Sequence, residues 1–384
     1  MANKKSAILP VLFAFIVMGF GDIVGVITSH AKESFGLSGT MAGLVPMAIF
    51  IWFLFLSVPV AVLMNRVGRR KMVCVSIVLT FAGLILPLVN FSPVTFFVIC
   101  ILLGIGNTII QVALNPLLSD AGGARGSLSS YISAGQVLKA ISGASAALVA
   151  TFCINHFSGA DSWKYMFPIY AAIAVISYLW LRFTPIEEAP VQTGKSIGQT
   201  FVDAFKLLGN PFILFCFLGI FMVVGLDIGI NFVAPELGGS DFACTLYLIC
   251  KMAGAFAGAF LLSRMADRTF FRIAVVIVAC AVAGLFVAKA TWTVLALLGV
   301  IGFFSASVFS IIISLVIGNL PDKANEISGL MIMGIFGGGV VTLLMGAVSD
   351  SAGMAGALGV IAVCVVYLAL CAFVLLKEKQ PVKE

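Results

Sequence analysis

Long apolar runs separated by short polar interruptions make up almost the whole chain. The runs fall at about 8–29, 43–64, 72–91, 94–118, 128–154, 165–184, 211–234, 240–263, 273–289, 291–318, 328–349 and 353–376. Each is close to the roughly 20 apolar residues that a membrane-crossing helix needs. Short alternating segments of the kind that build membrane β-barrels are absent, and only helices or closed barrels satisfy their backbone amides in lipid. The pattern therefore predicts an all-α membrane protein with twelve transmembrane helices. Polar residues inside the runs keep helical spacing. In GIGNTIIQVALNP (Gly104 to Pro116), Asn107, Gln111 and Asn115 recur every four residues and share one helix face.

Pro185 to Asn210 is the longest polar gap, and it lies between the sixth and seventh runs. It divides the chain into an N-terminal six-helix bundle (1–184), a cytoplasmic linker (185–210) and a C-terminal six-helix bundle (211–384). Residues 196–208 of the linker read as an amphipathic helix on the membrane surface.

Composition sharpens this picture. Charged residues are 10% of the 384 and hydrophobic ones 61%, against about 25% charged in soluble domains, so a water-soluble fold is excluded. The nine cysteines are scattered without a CxxC pair and read as packing residues. With 39 glycines, closely approaching transmembrane helices are expected. MANKK resembles the basic start of a signal peptide, but no small-residue cleavage site follows, so the first run reads as a retained helix. With the N-terminus placed inside, seventeen of the 22 Lys and Arg fall on the cytoplasmic side. Only Lys32, Lys164 and Lys289 fall outside, while Lys139 and Lys251 lie within spans. This asymmetry puts both termini in the cytoplasm. The net charge of +6 is then an orientation signal, and no nucleic-acid partner is expected.

The two halves echo each other. GFGDIVGV (Gly19 to Val26) has a counterpart in VGLDIGIN (Val224 to Asn231), and NRVGRRK (Asn65 to Lys71) is answered by SRMADRTFFR (Ser263 to Arg272). Related six-helix halves characterise rocking transporters. On these residues the chain resembles the major facilitator superfamily, NRVGRRK matching the basic loop between its second and third helices with Asn65 at a usual aspartate. It is similar in particular to the branch of fucose, glucose and galactose proton symporters. GDIVG resembles that branch's NDI segment, QVALNP (Gln111 to Pro116) its ETAANP, and VGLD (Val224 to Asp227) its VGAE. GFFSASVFSIIISL (Gly302 to Leu315) and SGLMIMGIFGGGVVTLLMGAVSD (Ser328 to Asp350) are similar to its tenth and eleventh helices. The resemblance implies the major facilitator fold, two pseudo-symmetric bundles and proton-linked sugar import by alternating access. It also exposes departures. Gln111 stands for the branch's helix-four glutamate, Ala255 for an arginine with Lys251 one turn earlier, and Ser305 for an asparagine.

Several polar residues in the spans are candidates for the work. The resemblance makes the fourth span a cavity-lining helix, so Asn107, Gln111 and Asn115 are expected to meet substrate, their amides offering donors and acceptors to hydroxyl-rich sugars. Their alternative role is interhelical glue, at about 0.6 kcal/mol each. A charge at the bilayer centre costs about 2.5–3.5 kcal/mol or more, which singles out Asp22, Lys139, Asp227 and Lys251. Asp22 is the proton-coupling candidate, its alternative role a fixed ion pair with Lys139. Asp227 and Asn231, one turn apart, are expected to contact sugar, the alternative for Asp227 being a pairing with Lys251. Gln136 shares a face with Lys139 and matches a glutamine that the branch keeps near its sugar. Ser305 and Tyr247 read as packing residues. The two lysines also support a rival cargo, an acidic sugar or other organic anion. Arg66, Arg69, Arg70 and Asp267 are read as a cytoplasmic gate. Gly19, Gly21, Gly25, Gly337, Gly338 and Gly339 read as close-packing positions, Trp163, Trp180 and Trp292 as interfacial anchors, and Trp52 as core.

Other classes find little support. TGKS (Thr193 to Ser196) lacks the first glycine of a phosphate loop and the strand before it. No HExxH or G-x-S-x-G occurs, and no enzyme activity, cofactor or metal is expected. A multidrug exporter is the remaining rival, because one fold hosts both directions of transport. The expected protein is a monomer in the inner (cytoplasmic) membrane whose partners are the lipid bilayer, a sugar and a proton.

Overall fold

Where no water reaches the backbone, amides must bond within their own segment, and the apolar runs do so as helices. The computed structural model describes residues 4–37, 39–122, 128–159, 161–188, 197–239 and 242–374. Arg125, Lys195, the TGKS stretch, the middle of the linker and Lys377, Lys379 and Lys383 lie outside them. Twelve helices are long and apolar enough to cross a membrane, and no strand occurs among the described residues.

The first span is two helices, α1 (Lys4–Met18) and α2 (Val24–Phe35), joined through a 3-10 turn at Gly19–Gly21. The second to sixth spans are α3 (Gly39–Val67), α4 (Arg69–Val89), α5 (Pro93–Gly122), α6 (Leu128–His156) and α7 (Met166–Phe183). Within the linker α8 (Ile197–Lys206) is a strongly amphipathic helix. Then follow α9 (Pro211–Gly238), α10 (Phe242–Leu261) and α11 (Asp267–Leu285). The tenth span is split into α12 (Thr291–Ser305) and α13 (Val308–Asn319). The eleventh is split into α14 (Ala324–Met333) and the start of α15 (Gly337–Val374), which continues into the twelfth. Gly353, at φ 62°, interrupts α15 between those last two spans, in a backbone region that only glycine enters cheaply. Local chemistry sets several ends. Asn210 caps α9, its side chain accepting from the Phe212 amide, and Pro211 fills the first helical position, where no N–H is missed.

Two compact units emerge. The first holds residues 1–204 and also 324–333; the second holds 205–323 and 334–384. Helix α14 thus packs with the first unit, against α3 and α5, although it lies beyond residue 211 in the chain. In the first unit α5 is the hub, touching α1, α3, α4 and α14. Its apolar window is 72% buried, the highest value of the twelve spans. In the second unit α9 plays that part, packed on α10, α12, α13 and α15.

Trp163 departs from its expected place. It is 2% exposed, donates from Nε1 to Ser34 Oγ at 2.8 Å, and sits among His30, Phe91, Phe96 and Phe167. An indole almost wholly enclosed among aromatic rings, with its N–H satisfied, is a core residue. Trp180 and Trp292 are exposed near their helix ends.

Candidate functional site

Polar chemistry in the first unit gathers around the break in span one. Gly19 and Gly21, poor helix formers, allow a 3-10 turn in which the Asp22 amide donates to Gly19 O at 3.0 Å. Asp22 therefore sits at the discontinuity. The glycines also let the break approach its neighbours: a Cβ on Gly19 would strike Lys139 O and Ser142, and one on Gly21 would strike the Asn107 carboxamide. Gly25, by contrast, has nothing within 4 Å of its Cβ direction. From α6, Lys139 Nζ reaches Asp22 Oδ2 at 3.3 Å, with side chains 19% and 36% exposed. Gln136, one turn earlier, is half-buried and has no hydrogen-bond partner among the described residues.

The amide stripe of α5 is buried within this unit: Asn107 is 3% exposed, Gln111 4% and Asn115 3%. Expected to face a wet cavity, it is instead enclosed, because α5 is packed on nearly every side. Gln111 Nε2 donates to Asn107 Oδ1 at 3.4 Å, and Asn115 Nδ2 reaches Gln111 O at 3.5 Å, both at the outer limit of a hydrogen bond. Asn107 Nδ2 and Asn115 Oδ1 have no partner among the described residues. The stripe thus holds one unmet donor and one unmet acceptor, each one turn from Gln111. Trp52 belongs to this packing, its indole donating to Ala48 O at 3.0 Å while Gly104 lies against its ring.

The second unit carries its own cluster. Asp227 Oδ2 pairs with Lys251 Nζ at 2.5 Å, and Tyr247 OH donates to Asp227 Oδ1 at 2.7 Å. Asn231 Nδ2 donates back to Asp227 O at 2.8 Å, and its Oδ1 accepts from Cys244 Sγ at 3.1 Å. Asp227 and Asn231 come from α9; Cys244, Tyr247 and Lys251 come from α10 at spacings of three and four, hence from one face. Tyr247, expected to pack, is fully buried yet anchors the carboxylate. Its sequence signal was the i, i+4 relation to Lys251. Ser305 is buried in α12, its hydroxyl turned to Gly302 O at 3.4 Å.

The expected gate residues separate into different settings. Arg69 is buried and pairs with Asp120 at 2.6 Å, while its Nε donates to Asn325 Oδ1 at 2.7 Å. Asn325 Nδ2 donates to Asn65 Oδ1 at 2.6 Å, and Asn65 Nδ2 to Glu326 Oε1 at 2.7 Å. This network fastens α14 to α3, α4 and α5 inside the first unit. Asp120, Asn325 and Glu326 were not among the candidates, since their partners lie up to 261 residues away in the chain. Arg70 does different work: its guanidinium caps the end of α7 through Thr184 O and Arg182 O, and its amide is capped by Glu188. Arg66 is exposed at the end of α3, and Asp267 opens α11, where its charge suits the helix N-terminus. Among the described residues, no group of three or more His, Cys, Asp or Glu converges as a metal site would.

The sequence profile of the Major Facilitator Superfamily matches residues 11–342. A glucose/galactose transporter of Brucella abortus (strain 9-941) is 25% identical over 398 aligned residues, covering 96% of this chain and 93% of that protein. In structure the chain is similar to the E. coli fucose:proton symporter FucP, with a TM-score of 0.82 and 18% identity over 97% of this chain and 98% of that one. It is also similar to the proton:xylose symporter XylE, at 0.74 and 14% over 96% and 94%.

Proposed function

The chain belongs to the Major Facilitator Superfamily, and from that premise we propose that this transporter imports a monosaccharide or a related polyhydroxylated metabolite together with a proton. The observation that carries the reading is the unmet donor and acceptor beside Gln111. The two groups lie about 12 Å apart along α5, so two hydroxyls of one sugar, one accepting from Asn107 Nδ2 and one donating to Asn115 Oδ1, complement them as no apolar drug does. Asp227, Asn231 and Gln136 add further polar contacts, and Asp22 takes the proton. The glucose/galactose transporter similar over nearly the full chain supports the same cargo class. Alternating access uses the six-span halves 1–184 and 211–384 as its moving bodies, with 185–210 as cytoplasmic linker and Arg66, Arg69, Arg70 and Asp267 as gate. The excess of Lys and Arg in one set of loops supports an orientation with both termini in the cytoplasm, and the carrier is proposed to act as a monomer of the inner membrane.

A second reading has its own support. Lys139 and Lys251 are ammonium groups within apolar spans, and a carboxylate-bearing sugar satisfies such a group better than a hydroxyl does. Uptake of labelled D-galactose and of D-galacturonate into proteoliposomes, with an inward proton gradient imposed, separates the readings. Accumulation of galactose supports the neutral cargo, and accumulation of galacturonate alone supports the acidic one. Failure of both to enter, or expulsion of a preloaded substrate, overturns the importer reading.

A further inference from the structure

Lys139 and Asp22 hold each other at 3.3 Å, and neither side chain has another hydrogen-bond or ion-pair partner among the described residues. Around them α6 supplies Ser142 and Gly143, α5 the neutral Asn107, and α7 Tyr170, whose hydroxyl is bonded to Ser145. The remaining charged or ionisable groups of α2 that lie nearest are His30, Lys32 and Glu33, two to three turns further along. Elsewhere on α1, α3, α5, α6 and α7 the charged side chains and the one histidine are Lys4, Lys5, Arg66, Asp120, His156 and Arg182, all in or beside the terminal turns, and the other titratable groups are the neutral Cys100, Tyr131, Cys153 and Tyr178. One carboxylate and one ammonium therefore balance each other alone.

Protonating Asp22 cancels its charge and leaves the ammonium without a counter-ion inside a membrane span, which is unfavourable. A ligand that brings an oxygen to Nζ relieves that state. In the other direction, a ligand that draws Lys139 away leaves Asp22 unpaired and favours its protonation. The two binding events then reinforce each other, and the coupling is reciprocal. Because Gln111 cannot ionise, α5 supplies no second carboxyl near this pair to take over the task.

We propose that Lys139 is the coupling residue, exchanging Asp22 for a substrate oxygen when Asp22 takes up a proton. The inference rests on the sugar-import reading and adds the link between cargo and proton. The sign is fixed: the proton-loaded form binds substrate more tightly, so affinity rises as pH falls. A carboxylate is the stronger acceptor, so the effect is larger for a hexuronate than for a hexose.

The test measures Kd for D-glucose and D-glucuronate at pH 8 and pH 6, on purified full-length protein, Lys139→Gln and Asp22→Asn. Wild type is expected to tighten at least fivefold on acidification for the probe that it transports. Asp22→Asn is expected to change less than twofold and to sit near the acid-form affinity. Lys139→Gln binds more weakly and also changes less than twofold. Either variant keeping the wild-type pH response, or a wild type without one, overturns the coupling role. Counterflow of both probes through wild type, run without a pH gradient, isolates the parent reading: if neither exchanges, sugar transport itself fails. Counterflow with a pH-independent Kd leaves transport standing and removes Lys139 from the coupling.

Discussion

An unmet donor or acceptor in a packed interior costs about 1–3 kcal/mol, and α5 carries one of each beside Gln111. A chain that keeps such groups has a use for them, or a stabilising substitution is available. Asn115→Leu discriminates the two. It removes the unmet Asn115 Oδ1 while keeping the same branched shape, so the ligand-free protein should melt no lower than wild type, while stabilisation by added D-glucose disappears. Thermal unfolding with and without sugar reads both quantities, and a lower ligand-free melting point would mark the amide as structural glue. Tyr247 makes the opposite case. Its bond to Asp227 is satisfied and charge-assisted, worth roughly 1.5–3 kcal/mol. Tyr247→Phe should therefore lower stability by about that amount and weaken sugar binding, because Asp227 then depends on Lys251 alone for its position.

Helix interruptions place these residues. The GFG of span one announced a weak point, and the break falls there with Asp22 immediately after it. The acid of the seventh span had the same sequence signature, yet α9 runs unbroken through Asp227. The difference lies in composition, since two glycines flank a phenylalanine in the first case and only Gly225 and Gly229 bracket the acid at helical spacing in the second. Both ion pairs named as alternatives for the acids are present, Asp22 with span five and Asp227 with span eight, and since those spans are not equivalent in the two halves the internal repeat does not carry over to its contacts. Glycine spacing has a consequence that thermal unfolding in detergent can measure. A Cβ at Gly104 would meet the backbone of Ile49, and one at Gly254 the backbone of Phe303, where no side chain can turn aside. Gly104→Ala and Gly254→Ala should each cost about 1–3 kcal/mol by overpacking. Gly25→Ala, in open space, should be neutral or slightly stabilising.

Twelve spans and a polar midpoint were legible because bilayer thickness forces a length on every apolar run. The amide stripe was legible as a helix face, but its burial was not, since periodicity reports which residues share a face and not what covers it. The same limit hid the place of α14, which follows the first half by more than a hundred residues yet packs with it. Its attachment depends on a buried polar network in which Arg69 and Asp120 have side chains only 7% and 12% exposed. Removing one member of a buried pair leaves an uncompensated charge, at about 3–5 kcal/mol, whereas replacing both with apolar groups is often close to neutral. Arg69→Met alone should therefore destabilise the protein severely, and Arg69→Met with Asp120→Leu should recover at least half of the loss. The recovery should be incomplete, because Asn325 Oδ1 loses the Arg69 Nε donor in both variants. A double-mutant cycle on thermal unfolding measures that coupling. If the two losses simply add, Arg69 and Asp120 do not act as a pair, and the network does not hold α14 in the way its distances imply.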